Sequence, residues 1–519
     1  MRKMVLFIIV VCLIVWWCGG NLDVNTEKEK QITVDKRMVN LSGISKVENK
    51  EKEYKLFVKS NNAWVGDIMP LNDGEKLQLY YLYDTDNNGV GYHPIHKFST
   101  RNLYGYEDDG LVIPFGSDLK DLDLAVGTGS FILADGVYHF FYTGHNDINP
   151  SVNKDKECIM HAVSKDNVTW EKIQEDTFWA PVGYSGNDFR DPFVFFNDEK
   201  QCYQMLVSAR KEGEEGGRIL SYTSKDLSTW SLEGTFYEQK ELYFLECPDF
   251  FKMGKYYYLF YSWNNVSYYQ MSESMEGPWV KPEYPVLDGN AYYAAKTVEY
   301  EGKRYLFGFI DRKKYQDDLE DYSWAGNLCV YELEQNEDGT FKAKIPHQFE
   351  EEYFNKEAEL PYEAFYGKAW KDDNSLILKG KTDQIAGVSF GNLPSTMLLR
   401  CKVAFEDASE KGGGFYFGNT GNFKEAYAIL LDTQLGKIHY DKKSIADEVS
   451  AEPITYSDFK FQSGKKYDLK VVVENEIIVI YLDNTKVLSN RIYRAVGNGW
   501  GIFGMSDVRF SDIQMFYAN

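Results

Sequence analysis

Five similar hairpins recur along the first two thirds of the chain and constrain its fold more than any other feature. Each joins a short apolar strand to an aromatic-rich strand through a tight polar turn, which is the usual signal of a β-hairpin. The turns end at residues 74, 136, 199, 254 and 302, so the repeats are 48–63 residues apart. That length suits one four-stranded blade per repeat. The pattern predicts a five-bladed β-propeller over residues 50–335; an irregular β-sandwich with unrelated hairpins is the alternative.

Three carboxylates occupy similar places in this pattern. Asp67, Asp191 and Glu246 each open the first strand of a hairpin. First strands of propeller blades line the central channel, so we expect the three acids to meet at one mouth of that channel. Carboxyl groups held together have their pKa values pushed apart, which provides one acid and one base or nucleophile. Glycoside hydrolysis uses such a pair.

The third hairpin places a cation beside its carboxylate, where a turn leads into an apolar strand. Pro192 fixes its own φ and favours an extended Asp191. Taken alone, Arg190 and Asp191 could form a surface ion pair that contributes almost nothing to stability. The recurrence of acids at corresponding points of other hairpins favours a functional interpretation.

These residues resemble the motifs of glycoside hydrolase family 32, the invertase, levanase and inulinase group. The resemblance rests on Trp64-Val-Gly-Asp67, Arg190-Asp191-Pro192, Glu246-Cys247-Pro248 and Trp324-Ala-Gly-Asn-Leu. It implies retaining cleavage of β-fructofuranosyl linkages in fructans or sucrose-type sugars. Asp67 would be the nucleophile, Glu246 the general acid/base, and Asp191 would hold sugar hydroxyls and stabilise the transition state.

The same resemblance implies a substrate-binding set drawn from several blades. Its members come from the motifs above, from Gly127-Thr-Gly-Ser130 and from Tyr292-Tyr-Ala-Ala: Trp64, Gly129, Ser130, Arg190, Tyr292 and Trp324. Two positions depart from the family pattern, because Gly66 stands where Asn is usual and Ile68 where Pro is usual. A Gln of the following strand is also replaced near Leu82. We therefore expect a divergent member whose catalytic residues are kept and whose recognition residues have changed.

The chain changes its strand style after the propeller. Residues 336–359 are charged and turn-rich, which indicates a linker, and strands resume from about residue 360. Residues 467–482 read as a hairpin with a turn at 474–476. This part resembles the lectin-like jelly roll that follows the propeller in family 32, so we expect an all-β chain with a C-terminal β-sandwich over residues 360–519. Glycan binding there and a purely structural role are both open.

Other functions remain to be weighed against this one. The related five-bladed family 43 cleaves arabinose or xylose linkages with inversion and also uses two Asp and one Glu. A propeller that only binds carbohydrate would not need all three acids, and a fructosyltransferase would differ only in the outer pocket. The Arg-Asp-Pro and Glu-Cys-Pro contexts favour family 32.

Composition narrows the partners. A formal net charge of −22 argues against nucleic acid or an anionic membrane surface. Aromatic residues make up 16% of the chain, which suits both sheets and sugar rings. The five cysteines beyond residue 18 are scattered without metal-ligand spacing, and His93, His96 and His145 show none either. We expect a saccharide partner of the oligo- or polysaccharide type, no metal and no cofactor.

The N-terminus has the pattern of a targeting segment. Arg2 and Lys3 precede an apolar run over residues 5–17, too short for a membrane span of roughly 20 residues. Cys18 and two glycines follow, which resembles a bacterial lipoprotein signal over residues 1–18 with Cys18 lipidated. Residues 19–49 are polar and indicate a tether. An extracellular or cell-surface location on a bacterial membrane is expected, with a plain secretory signal or an uncleaved anchor as alternatives.

Overall fold

The computed structural model describes residues 52–85, 92–148, 155–318, 320–419, 426–444, 455–493 and 497–518, and nearly all regular structure in them is β. The signal, tether and lipidation predictions at residues 1–49, including Cys18, lie outside these residues. Two short helical turns occur at Lys314–Gln316 and Phe349–Tyr353. Within the described ranges no helix combines the length and apolar character needed to cross a membrane.

Five blades surround a central channel, which confirms the predicted propeller. The first three blades have four antiparallel strands each. Their bounds are β1 Trp64–Asn72, β2 Leu77–Asp84, β3 Ile95–Thr100, β4 Tyr106–Ile113; β5 Ala125–Ala134, β6 Val137–His145, β7 Glu157–Ser164, β8 Glu171–Trp179; β9 Tyr184–Asn197, β10 Cys202–Lys211, β11 Gly217–Ser224 and β12 Ser231–Gln239.

The fourth blade differs from the others. It has three strands, and its outer edge is reduced to the isolated bridge Met271–Val280. The fifth blade is complete and is joined to the first through the pair Val65–Gly326, which closes the circle of blades. The bounds are β13 Glu246–Met253, β14 Tyr256–Trp263, β15 Val266–Ser272; β16 Tyr292–Tyr300, β17 Lys303–Lys313, β18 Tyr322–Gln335 and β19 Phe341–Lys344.

Two packed sheets form the C-terminal β-sandwich. The strand bounds are β20 Lys356–Ala358, β21 Ala364–Tyr366, β22 Ala369–Asp372, β23 Ser375–Lys379, β24 Ala386–Asn392, β25 Thr396–Phe405, β26 Gly412–Asn419, β27 Tyr427–Asp432, β28 Lys437–Ser444, β29 Thr455–Asp458, β30 Lys466–Glu474, β31 Ile477–Leu482, β32 Lys486–Arg491, β33 Gly499–Gly504 and β34 Asp507–Tyr517. One sheet runs β22-β23-β34-β25-β30-β31-β32 with β20 paired to β34, and the other runs β21-β24-β33-β26-β27-β28-β29. Strand β19 and the turn at Phe349–Tyr353 lie within the segment expected to be a linker.

The sandwich packs directly on the propeller. Val479, Tyr481 and Val487 belong to the same buried apolar cluster as Leu287 and Tyr331. Burial of this surface favours a fixed arrangement, because apolar area removed from water stabilises by roughly 25 cal/mol per Å². The backbone also crosses the junction, since Val487 N–H donates to the Leu287 carbonyl at 3.0 Å.

Candidate active site

The inner strand of every blade carries a β-bulge at the same place. In each of these strands two residues oppose one residue of the next strand. We call the first bulged residue the bulge position and the residue before it the pre-bulge position. The bulge positions are Asp67, Gly127, Asp191, Cys247 and Ala294, and the pre-bulge positions are Gly66, Val126, Arg190, Glu246 and Tyr293. Bulges re-aim side chains and are common beside active sites.

This arrangement corrects two expectations from the sequence. Asp67 and Asp191 are equivalent, but Glu246 lies one residue earlier in its strand, where the bulge position is held by Cys247. Asp191 is not extended: its φ is 61°, and that of Asp67 is 30°. Left-handed conformations are uncommon for residues other than Gly and cost on the order of 1–3 kcal/mol when imposed by the surroundings. The bulge overrides the preference that Pro192 imposes on its neighbour.

Two pre-bulge side chains bind the carboxyl group of a third, Glu246. Arg190 donates from Nη2 to Glu246 Oε1 at 2.8 Å, and the Tyr293 hydroxyl donates to Glu246 Oε2. Glu246 therefore has a cation on one oxygen and a phenol on the other. The guanidinium also lies 3.3 Å from Glu157 Oε1 and stacks over the Phe244 ring at 4.0 Å, so its position is set from several sides.

Asp67 is half-buried beside other acids. The Trp324 indole Nε1 donates to its Oδ1 at 3.2 Å, and Cys247 Sγ lies 3.8 Å from its Oδ2. Burial and the charge of Glu246 raise the pKa of Asp67 to about 6, against the indole hydrogen bond and the Lys296 ammonium, which lower it. At neutral pH Asp67 is then mostly ionised, as a nucleophile must be.

Asp191 is more enclosed, with 4% of its surface exposed. Its backbone N–H donates to Thr143 Oγ1 at 2.9 Å, and its Oδ2 accepts the Cys247 N–H at 2.9 Å. Burial raises the pKa of Asp191 to about 7, opposed by Arg190 and assisted by the charges of Glu246 and Asp67. The Cys247 amide thus links Asp191 to the strand that carries Glu246.

A buried lysine lies below the acids. Lys296 is 1% exposed, and its Nζ donates to the carbonyls of Gly129 at 2.9 Å and Pro248 at 3.4 Å. These bonds connect the second, fourth and fifth blades. Its charge lowers the pKa of Asp67, so the floor of the site favours an ionised carboxylate above it.

The departure at Gly66 has a steric explanation. A Cβ at this residue would lie 2.4 Å from Cη2 of Trp324. The six-membered ring of the indole therefore occupies the space that a side chain at the first pre-bulge position would need. The same indole reaches Asp67 with its N–H, so the absence of a side chain at Gly66 and the hydrogen bond to Asp67 belong together.

Comparison with known proteins gives the family. Residues 58–340 match the glycosyl hydrolases family 32 N-terminal domain, which is more than half of the chain. The chain belongs to this family. Raffinose invertase of Escherichia coli is 29% identical over 257 residues, which cover 45% of this chain and 52% of that protein. A sucrose-6-phosphate hydrolase of the same species is 28% identical over 243 residues, or 43% and 50% of the two chains. The chain thus spans about half the length of these curated relatives.

Solved structures of the family extend the likeness to nearly the whole chain. Fructan 1-exohydrolase IIa from Cichorium intybus superposes with a TM-score of 0.71 at 16% identity, covering 91% of this chain and 98% of that one. Sucrose-6-phosphate hydrolase from Lactobacillus gasseri gives a TM-score of 0.68 at 17% identity, covering 91% and 94%. At such identities the likeness concerns the fold.

Other residues predicted from the family motifs have mixed placements. Trp64 is half-buried beneath the Arg312 guanidinium, whose Cζ lies 5.3 Å from its ring centroid. Gly129 cannot carry a side chain, because a Cβ would lie 1.8 Å from the Phe141 carbonyl oxygen. Ser130 is buried, and its Oγ accepts the Val194 N–H at 2.9 Å, so it joins the second blade to the third and is not a free hydroxyl.

The prediction of Tyr292 as a substrate-binding residue is wrong by one position. Tyr292 is 2% exposed and donates to the Leu306 carbonyl at 3.1 Å. Tyr293 is the residue that reaches Glu246, because successive side chains of a strand point to opposite faces. The sequence shows the pair Tyr292-Tyr293, but it does not show which of the two side chains faces the acids.

Three contacts of the site were not predicted from the sequence. They are those of Cys247 with Asp67 and Asp191, the charge of Lys296 near Asp67, and the pair of Arg190 with Glu157. Only Lys296 left a signal, as a charge inside an apolar strand. Among the described residues no group of three or more His, Cys, Asp or Glu side chains is arranged to hold a metal ion. The five cysteines in that part of the chain are buried and unpaired.

Proposed function

We propose that the protein is a retaining β-fructofuranosidase that acts on fructans or sucrose-type sugars. The observation that carries this proposal is the convergence of Asp67, Asp191 and Glu246 at the bulged mouth of the channel. Cys247 contacts both Asp67 and Asp191 and directly follows Glu246 in the chain. Family membership supports the same reaction, since the matched relatives bear the names invertase and sucrose-6-phosphate hydrolase.

The geometry suggests a role for each acid. Asp67 attacks the anomeric carbon of the fructosyl ring while Glu246 gives its proton to the departing oxygen. Water then attacks the fructosyl ester, losing its proton to Glu246 and freeing Asp67. The Tyr293 hydroxyl can donate to or accept from Glu246, so it stays bonded as Glu246 alternates between acid and base. Asp191 accepts hydrogen bonds from ring hydroxyls that strengthen as positive charge develops.

A substrate and trapping experiment tests the proposal. Purified protein is incubated with sucrose, inulin, levan and arabinan, and methanol is added as an acceptor. We expect release of fructose from at least one fructosyl substrate and formation of methyl β-fructofuranoside, since a retaining enzyme passes the fructosyl group to methanol with its configuration kept. An inverted methyl glycoside, or activity on arabinan alone, would leave the family 43-like reaction in its place.

We also propose that the protein is held on the outer side of a bacterial membrane by a lipid on Cys18. The support is the sequence pattern alone: two basic residues, a short apolar run and Cys18. Mass spectrometry of the membrane fraction should find a lipidated Cys18 as the first residue. Cleavage beyond Cys18, or an unmodified thiol in that fraction, would contradict the tether.

A further inference from the structure

A group of polar and aromatic side chains continues outward from the acid on the third and fourth blades. Asp188 lies two residues before Arg190 in β9, in a stretch where the pairing with β10 is irregular. Its position beside Arg190, and so next to Glu246, is given by a direct contact. Arg190 Nη1 lies 3.9 Å from Asp188 Oδ1.

Arg210, Tyr243 and Trp263 extend the surface that begins at Asp188. We call these four residues the outer wall. Arg210 Nη1 lies 3.3 Å from Asp188 Oδ2 and donates to the Tyr243 hydroxyl at 2.5 Å. Its guanidinium is stacked 3.8 Å from the centroid of the Tyr243 ring. Trp263 extends the aromatic surface, with its ring 5.5 Å from that of Tyr243 at an interplanar angle of 30°.

The outer wall is next to Glu246 on both sides. Tyr243 precedes Glu246 by three residues, as Asp188 precedes Asp191. Trp263 follows Ser262, the cross-strand partner of Glu246. Arg190 contacts Glu246 and Asp188 alike, so the proton donor and the outer wall share one guanidinium.

The outer wall also has unused binding capacity. Tyr243 is 51% exposed, a large value for an aromatic residue that has the Arg210 guanidinium stacked on its ring and the tilted Trp263 ring beside it. Arg210 Nη2 and Trp263 Nε1 make no hydrogen bond with any described residue, and Arg210 is 23% exposed. A flat apolar face beside free N–H donors and a carboxylate matches the surface of a sugar, which has apolar C–H faces and hydroxyl edges.

We infer that the outer wall binds the leaving-group sugar of the substrate, an uncharged glycosyl unit that stacks on Tyr243 and Trp263. The inference rests on the proposed function, because the leaving oxygen is the atom that Glu246 protonates. The hydroxyl groups of this sugar accept hydrogen bonds from Arg210 and donate hydrogen bonds to Asp188. Of the outer wall and the groups next to it, Arg190 and Arg210 are the cations, and the carboxyl groups are those of Asp188, Glu157, Asp191 and the proton donor Glu246, so carboxyl groups outnumber cations two to one. Excess negative charge favours a neutral sugar over a phosphorylated one.

Acceptor competition tests this assignment, since an acceptor sugar enters the site that the leaving group vacates. Wild type, Tyr243→Ala and Trp263→Ala are supplied with substrate, glucose and methanol together. We expect the ratio of glucose transfer to methanol transfer to fall about tenfold in both variants, because methanol is too small to need the outer wall. A general loss of structure would lower both products equally. Phe196→Ala is the matched control: Phe196 is 43% exposed at the opposite end of β9 from Asp188 and should leave the ratio unchanged. An unchanged ratio in the two wall variants would overturn the inference.

A binding measurement separates this inference from the proposed reaction. Sucrose is titrated calorimetrically into Asp67→Asn and into Asp67→Asn combined with Tyr243→Ala. We expect the second protein to bind about tenfold more weakly. If that difference appears but wild type cleaves nothing, the proposed reaction fails and the sugar site stands. Equal affinities, or no binding by either protein, would overturn the site, and tighter binding of sucrose 6-phosphate than of sucrose would overturn its assignment to an uncharged sugar.

Discussion

The channel mouth and the propeller–sandwich junction both bury charged side chains, but they hold them in opposite ways. At the junction Arg491 is fully buried and donates to Asp311 O, Ile310 O, Asn327 Oδ1 and Glu476 Oε1 at 2.6–3.2 Å. Glu474, nearby, accepts the N–H groups of three successive residues, 55–57. At the mouth, Asp67 and Asp191 have left-handed backbones, and each carboxylate accepts fewer hydrogen bonds than Glu474 does.

The difference shows what each set of charges is for. A buried charge whose hydrogen bonds are all made fixes the position of the elements around it. A carboxylate that is buried, crowded and strained costs stability, and such costs persist at sites where the chemistry needs them. The charges at the junction therefore stabilise the fold, whereas those at the mouth lower stability, and the rest of the fold offsets that cost. Four experiments can break or sharpen this division.

The largest effect is expected on turnover. Replacing the nucleophile in Asp67→Asn should lower kcat at least about 10⁴-fold, because the covalent route is lost while binding remains. Release of fructose from the best substrate measures it. Asp166→Asn, an exposed acid of the second blade, is the control and should keep wild-type turnover. Substantial activity in Asp67→Asn would remove Asp67 from the mechanism.

At the junction the effect should fall on stability. Arg491→Met leaves Glu476 and three backbone or amide oxygens without their cation, so the free energy of unfolding should drop by about 3–5 kcal/mol. Urea denaturation followed by fluorescence measures the change, and kcat of the folded fraction should stay within about twofold. Arg509→Met is the matched control, because its partner Asp372 lies 3.9 Å away on the surface and such pairs contribute little. A junction variant that is stable but inactive would break the comparison.

At the channel mouth, removing a charge should raise the free energy of unfolding, the opposite of the effect at the junction. Since folding raises the pKa of Asp67 from 3.8 to about 6, the ionised carboxylate disfavours the folded state above that pH. Asp67→Asn should therefore raise the free energy of unfolding by about 1–3 kcal/mol at pH 7–8, and the gain should vanish towards pH 4. Asp166 is the reverse case: hydrogen bonds from the Thr169 and Val168 N–H groups and from Ser164 lower its pKa to about 2. Asp166→Asn should lose stability at neutral pH, and equal signs in the two variants would contradict the argument.

The smallest effect concerns the pH profile. In wild type kcat/KM should fall as the pH drops through about 6, because Asp67 becomes protonated. Lys296→Met removes the cation that lowers the pKa of Asp67, so this acid limb should move to higher pH by about 0.5–1 unit. Lys255→Met, at an exposed turn of the fourth blade, should leave the limb in place. If the acid limb does not move in Lys296→Met, then Lys296 only connects the blades and does not lower the pKa of Asp67.

The sequence was most informative where local chemistry decides the structure. Turn residues and aromatic strands identify each hairpin by themselves, so the sequence predicts the five blades and places the three acids on their inner strands. A bulge, in contrast, depends on the register between two strands, and register is a property of the pair. For that reason the sequence predicts Tyr292 where the structure has Tyr293, and it places Glu246 level with Asp67. A family motif points to Trp324, but its N–H bond to Asp67 and the carbonyls that bind Lys296 come from blades remote in sequence, so these contacts follow only from the closed circle of blades.

The repeated bulge also has a bearing on how such an enzyme can change. It is formed by the backbone, and Ala294 in the fifth blade already adopts φ 53° at the place that Asp67 and Asp191 hold in the first and third. Asp and Asn tolerate this conformation better than Ala does. The propeller thus has five equivalent bulge positions around one channel, and only some of them carry reactive side chains. A substitution at residue 294 would place a new side chain in a bulge that already exists, at the backbone position that holds Asp67 and Asp191 in two other blades.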